Sequence, residues 1–219
     1  MSAARPLVKV CGIRTLEDLA SAAGADLIGV VIEVPDSPRT RSLSEARSLF
    51  ERTEGRFQRV AVIVGADAEK VRQVLRVAAP DLVQLHGPVP SGLSAGERRR
   101  IVPSLPVARP GQVGAAPPAL PDGADDFPFL HLDTAGGKLP GGTGQRSDWA
   151  VARDLVRAHP SRRFLLGGGL TPENVSAALA EVRPAGVDVS SGVEARPGIK
   201  SRDKVERLLL AVRRSADPL

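Results

Sequence analysis

The chain has no tyrosine, one tryptophan, one methionine, one cysteine and only five phenylalanines among 219 residues. A single cysteine, Cys11, cannot close an internal disulfide, which excludes a disulfide-stapled secreted scaffold and points to a reducing compartment, the cytoplasm. No apolar run approaches the roughly 18–20 residues of a membrane helix, and Met1 to Gly12 holds no stretch apolar enough for a secretory signal. No membrane partner is expected. The shortage of aromatics also weighs against nucleic acid. Thirty basic residues, 25 of them Arg, exceed 25 acidic ones and leave a net charge of +5. The one dense cluster, Arg98–Arg100, stands in an aromatic-free stretch with nothing to stack on bases. A mildly positive field suits a small anionic ligand better.

What is present is a globular composition, 42% hydrophobic and 25% charged, in a chain long enough for one large domain. Short β-rich runs alternate with amphipathic stretches. The runs are Leu7–Val10, Leu27–Ile32, Arg59–Val64, Leu82–Leu85, Leu105–Ala108, Phe129–Leu132, Phe164–Leu166 and Gly186–Val189. They recur about every 27 residues, the size of one βα unit. They are continuously apolar rather than alternating, as parallel strands covered on both faces are. Helix starts are marked by Thr15 with Asp18, by Asp67 ahead of Ala68–Ala78, by Ser147 or Asp148, and by Thr171-Pro172-Glu173. The last helix is expected over Arg202–Arg213. Between Gly111 and Pro128 proline and glycine are too dense for a regular helix. The pattern predicts an α/β fold: a single-domain (β/α)8 TIM barrel over residues 1–219, its fifth helix irregular or shortened.

In such a barrel the chemistry collects where strands end and βα loops begin. Cys11 ends the first strand, Gln84 and His86 the fourth, and Asp133 the sixth. Gly168 and Gly169 follow the seventh, while Asp188, Ser190, Ser191 and Gly192 follow the eighth. Glycine-rich turns running into a helix start let backbone N–H groups approach an anion, so the last two loops read as a phosphate site. A cysteine and a carboxylic acid on one rim make a sensible acid/base pair. Each has a plainer reading: Cys11 as a small core residue, His86 as a satisfied buried histidine, Asp133 as a turn cap. One cysteine and three scattered histidines lack metal-ligand spacing, and Gly141–Gly144 lacks the strand–turn–helix setting of a dinucleotide fingerprint. No metal and no other cofactor are expected.

Several segments, in chain order, carry a resemblance. They are Val8-Lys-Val-Cys-Gly-Ile13, Leu82-Val-Gln-Leu-His-Gly87, Leu132-Asp-Thr134, Gly141-Gly-Thr-Gly144 with Asp148-Trp149, Gly168-Gly-Leu-Thr-Pro-Glu-Asn-Val175, and Gly186-Val-Asp-Val-Ser-Ser-Gly-Val-Glu194 with Pro197-Gly198. Together they resemble the phosphoribosylanthranilate isomerases of tryptophan biosynthesis. The resemblance implies a cofactor-free Amadori rearrangement of a phosphorylated, anionic substrate. It makes Cys11 the general base at C2 of the sugar and Asp133 the general acid at the ring oxygen. Gly168, Gly169, Ser191 and Gly192 match the phosphate loops, and Asp188 a position near the sugar. Arg39 matches the arginine that holds the anthranilate carboxylate, with Arg41 the near alternative. Gln84, His86 and Ser190 complete the candidate binding set.

A thiol base needs thiolate, so Cys11 is expected to titrate below the roughly 8.5 of a free thiol, helped by helix-terminal amides. The glycines of loop 136–144 would permit closure over a substrate. The chain departs from the family pattern in strand two, where Val30, Val31, Ile32 and Glu33 replace a phenylalanine-bearing run. It departs again at Ile63-Val64-Gly65 and at Lys200-Ser201. Glu33 points either into the barrel or out of its wall. The alternatives are a sugar-phosphate isomerase for another aminoaldose, or a non-catalytic phosphometabolite-binding barrel, in either case a monomer or a homodimer.

Overall fold

Eight parallel strands close on themselves in a computed structural model that describes residues 5–111, 116–135 and 147–216. They are β1 (Leu7–Cys11), β2 (Leu27–Ile32), β3 (Gln58–Val64), β4 (Leu82–His86), β5 (Ile101–Val107), β6 (Leu130–Thr134), β7 (Phe164–Leu166) and β8 (Gly186–Val189). Each pairs with the next, and β1 closes the ring by pairing with both β2 and β8. Between them lie α1 (Leu16–Ser21), α2 (Leu43–Glu51), α3 (Ala68–Val77), α4 (Ala95–Arg98), α5 (Trp149–Ala158), α6 (Val175–Val182) and α7 (Arg202–Ala216). None of these helices is long and apolar enough to cross a membrane.

The continuous apolarity of the strands has a simple cause: alternate side chains serve two cores. Val8, Val10, Ile28, Val30, Ala61, Val83 and Leu132 face out and pack under the helices. Leu27, Val60, Leu82, Val102, Phe129 and Leu165 face in and fill the barrel interior. The interior is thus plugged with hydrocarbon from one end, and polar side chains occupy only the other.

Two sequence boundaries move. The fifth strand begins at Ile101, not Leu105, and runs through Pro103 and Pro106. Its first half pairs with β4 (Val83↔Ile101 to His86↔Ser104) and its second with β6 (Ser104↔His131 to Val107↔Thr134). Barrel stagger therefore asks each half to bond one neighbour, and a proline in either half removes few ladder bonds. The helix expected from Thr171 begins in regular form at Val175. The Asn174 side chain folds back to accept from Thr171 N at 2.9 Å and to donate to Gly169 O at 2.9 Å, turning residues 171–174 into a separate turn. The fifth unit is irregular as expected: among its described residues only a 3-10 turn, Ala124–Asp126, is helical. Loop 136–144, with its Gly141–Gly144 run, lies outside the described residues.

Candidate active site

Strand periodicity carries the site. Residues two apart on a strand share a face, so Lys9 sits with Cys11, Gln84 with His86, and His131 with Asp133 on the interior. Across the β1–β8 seam Lys9 is in register with Asp188. Cys11, Gln84, His86, His131, Asp133 and Asp188 line a cavity of about 700 Å³, measured out to its open mouth, with Lys9 buried beside it. All eleven predicted site residues line it: Cys11, Arg39, Gln84, His86, Asp133, Gly168, Gly169, Asp188, Ser190, Ser191 and Gly192. Cys11, His86 and Asp133 each face this space, and Cys11 also belongs to the inner hydrophobic cluster.

The glycine turns are built for close approach. Gly168 and Gly169 hold positive φ, +84° and +61°. A Cβ on Gly168 would run into Thr134 Oγ1, and one on Gly192 would overlap the carbonyl oxygen of Leu170. Side chains are thereby kept off the wall shared by the last two loops.

Arg39 rather than Arg41 faces the cavity. Arg41 donates to Arg14 O at 3.0 Å and borders outer grooves. Arg39 donates through Nε and Nη2 to the two oxygens of Glu194, each at 2.8 Å. This side-on fork leaves the other edge of the guanidinium for a second carboxylate. Glu33 takes the outward option: it is exposed, at φ +49°, and ion-paired to Lys70.

The floor of the cavity is charged. Lys9 is fully buried, with Nζ 2.9 Å from Asp188 Oδ2. His131 Nε2 lies 2.9 Å from the same oxygen, while its Nδ1 meets Ser104 Oγ at 2.9 Å and Gln84 Nε2 at 3.2 Å. Burial would raise the Asp188 carboxyl, but Lys9 and His131 outweigh it and hold it well below the usual range. Burial pushes Asp133 up, only partly opposed by His131 and by the Thr134 N–H that Oδ1 accepts at 2.8 Å. Burial, then His131 and Lys9, pulls His86 down to about 3, so it is a neutral imidazole at neutral pH.

Two expectations change here. Burial lifts the Cys11 thiol above its ordinary range; Lys9 and Lys200 pull it down, Asp188 pushes it up, and burial wins. No helix-terminal amide figures in that balance. The barrel also gathers what the sequence scatters: His86, His131 and Asp133 bring ligand atoms within 4.8 Å of one another. His86 and His131 both meet Gln84 Nε2, and Asp133 accepts from Thr134 N, so the trio is tied to neighbouring groups rather than arranged as a cation cage. Both nitrogens of His131 are engaged, and the Lys9 charge bears on His86 and Asp133 alike.

A family profile described as N-(5'-phosphoribosyl)anthranilate isomerase matches residues 8–211. The chain belongs to this isomerase family. An isomerase of that name from Azorhizobium caulinodans is 39% identical over 212 residues, 94% of this chain and 91% of the relative. One from Rhodopseudomonas palustris (strain BisB18) is 40% identical over 218 residues, covering 96% and 97%. The crystal structure of the Thermus thermophilus enzyme superposes with a TM-score of 0.75 at 31% identity, covering 95% of this chain and 98% of that one. A further phosphoribosylanthranilate isomerase structure, with TM-score 0.72, 31% identity and the same coverages, is a complex with reduced 1-(o-carboxyphenylamino)-1-deoxyribulose 5-phosphate.

As a member of this family the chain has an aliphatic wall: Val31, Val34, Val62 and Val64 line the cavity where the sequence departs from the phenylalanine pattern. Sequence reasoning missed Lys9, His131 and Glu194. The first two had a signal, since each lies two residues before a predicted catalytic residue on the same strand and shares its face. Glu194 had none, because its partner Arg39 arrives from a distant loop.

Proposed function

We propose that this protein is a cytoplasmic enzyme that rearranges N-(5-phosphoribosyl)anthranilate to 1-(2-carboxyphenylamino)-1-deoxyribulose 5-phosphate by general acid/base catalysis. The observation that carries the reading is a single cavity in which Cys11, Asp133, the glycine-lined wall and Arg39 converge. Asp133, held toward its protonated form by burial, gives its proton to the ring oxygen and opens the furanose to a Schiff base. Cys11 as thiolate then takes the C2 proton, and the resulting enolamine becomes the ketose. Gly168, Gly169, Ser191 and Gly192 seat the phosphate, with Ser190 beside them. Asp188, Gln84 and His86 meet the sugar, and the free edge of Arg39 takes the anthranilate carboxylate.

Purified protein should turn the substrate over in the presence of a chelator, and the gene should rescue a tryptophan auxotroph that lacks this step. Cys11→Ala and Asp133→Ala should each lower kcat by about 1,000-fold. Near-full activity in either variant removes that residue from its role. A higher kcat/KM for a non-aromatic aminoaldose phosphate than for the anthranilate would replace the substrate.

A further inference from the structure

Burial pushes the proposed base, a thiol, away from its anionic form, and the site sets buried cations against that push. Lys9 is fully buried, one of the larger side chains so placed among the described residues, and the acid/base scheme gives it no task. It shares β1 and its inward face with Cys11. The two side-chain tips converge on one point: a Cβ on Gly29, the β2 residue paired with Cys11, would lie 2.9 Å from Cys11 Sγ and 3.2 Å from Lys9 Nζ. A bare glycine there leaves room for sulfur and ammonium side by side. Asp188 and the sulfur together outweigh burial and keep Lys9 charged.

We propose that Lys9 is the positioning residue that favours the anionic form of the Cys11 sulfur against the burial that opposes it, with Asp188 as the counterweight that shares its charge. This rests on the reading of Cys11 as base. The other charged or titratable groups around the sulfur do not replace Lys9. Lys200 reaches in from the hairpin after β8 but is ion-paired to Glu194 at 2.9 Å. Arg39, whose chain passes Gly12, is forked onto the same glutamate. Asp133 on β6 is an acid, and His86 on β4 is a neutral imidazole at neutral pH. Lys9 alone is a buried cation on the sulfur's own strand and face.

The chain is suited to a direct test. It has one cysteine and no tyrosine, so thiolate absorbance at 240 nm reports Cys11 without tyrosinate beneath it, and Cys11→Ser supplies the blank. In folded Lys9→Met the thiol titration should move up by at least one pH unit, and alkylation by iodoacetamide at fixed pH should slow about tenfold. Asp188→Asn, which leaves Lys9 to the sulfur, should move the titration down. A Lys9→Met protein that titrates like the wild type overturns the proposal. If Lys9→Met does not fold, Asp188→Asn decides alone: an upward or zero shift overturns it. Turnover is scored separately. An inactive wild type with the expected titrations removes the assigned reaction and leaves Lys9's role standing; an active wild type with unmoved titrations removes Lys9 alone.

Discussion

Asp188 and Glu194 are both buried carboxylates, and each is ion-paired at 2.9 Å to a buried lysine, Lys9 and Lys200 respectively. Their surroundings differ in one respect that matters. Glu194 is saturated: Oε1 accepts from Arg39 Nε and Lys200 Nζ, and Oε2 from Arg39 Nη2 and Gly198 N at 3.1 Å. At Asp188, Lys9 and His131 crowd Oδ2, while nothing among the described residues donates to Oδ1. A saturated carboxylate can only fix its neighbours. One with an unmatched oxygen facing a cavity retains capacity for a ligand hydroxyl, because a buried acceptor without a donor is costly. The same ion-pair motif therefore fixes Arg39 in one place and leaves an open acceptor facing the cavity in the other.

Neutralising each carboxylate should separate these tasks. On the proposed function, Asp188→Asn removes a sugar contact, and it leaves the buried Lys9 without its counter-charge. Activity should fall by more than about 100-fold, and stability in urea by about 3 kcal/mol. Glu194→Gln keeps the shape but loosens the fork on Arg39, so KM should rise about tenfold while kcat stays within a few-fold. Equal losses of kcat in the two variants would erase the distinction drawn between them.

The same contrast explains what could be read in advance. The barrel, the glycine turns, Cys11 and Asp133 were legible because strand period and strand-end position are local properties of the chain. Phe164–Leu166 and Gly186–Val189 stand where the apolar runs put them. Two misplacements have local causes as well: the fifth strand starts at Ile101 and runs through Pro103 ahead of the apolar run at Leu105, and Asn174 rather than Thr171 stands at the start of α6. The Glu194–Arg39–Lys200 cluster was not legible, since it joins a loop after β2 to a hairpin after β8. The ionisation of Cys11 was misjudged for a related reason. Burial depends on the closed barrel, which composition does not disclose.

A smaller effect tests the acid against the fold. Burial raises the Asp133 carboxyl in the native state, so the folded protein holds that proton more tightly than the unfolded chain does. Its stabilising contribution is present at acid pH and is lost as pH rises through the folded value. At neutral pH the charged form is a net cost. Asp133→Asn, which still offers an oxygen to the Thr134 N–H, should then be on the order of 1 kcal/mol more stable at pH 7 and lose that advantage near pH 4. Asp188 carries the opposite sign, since its carboxyl is depressed and its contribution disappears only as pH falls. A destabilised Asp133→Asn at pH 7 would show that this side chain holds the fold together rather than being held by it.

His86 should produce a change only on the acid side. Its folded value of about 3 lies below the ordinary histidine range, chiefly through burial and then through His131 and Lys9. The neutral imidazole therefore contributes stability that is complete above about pH 6.5 and erodes as pH falls toward 3. The ring meets Gln84 Nε2 at 3.1 Å and stands edge-on to His131, with 5.9 Å between centroids. His86→Gln replaces it with an amide that does not titrate. Between pH 6.5 and 4 the variant should lose stability less steeply than the wild type, by on the order of 0.5 kcal/mol per pH unit after discounting for partial exposure. At pH 7.5 the two should differ little in urea midpoint. Parallel stability–pH curves would place the acid sensitivity of the floor on Asp188 instead, whose depressed carboxyl remains when His86 is gone.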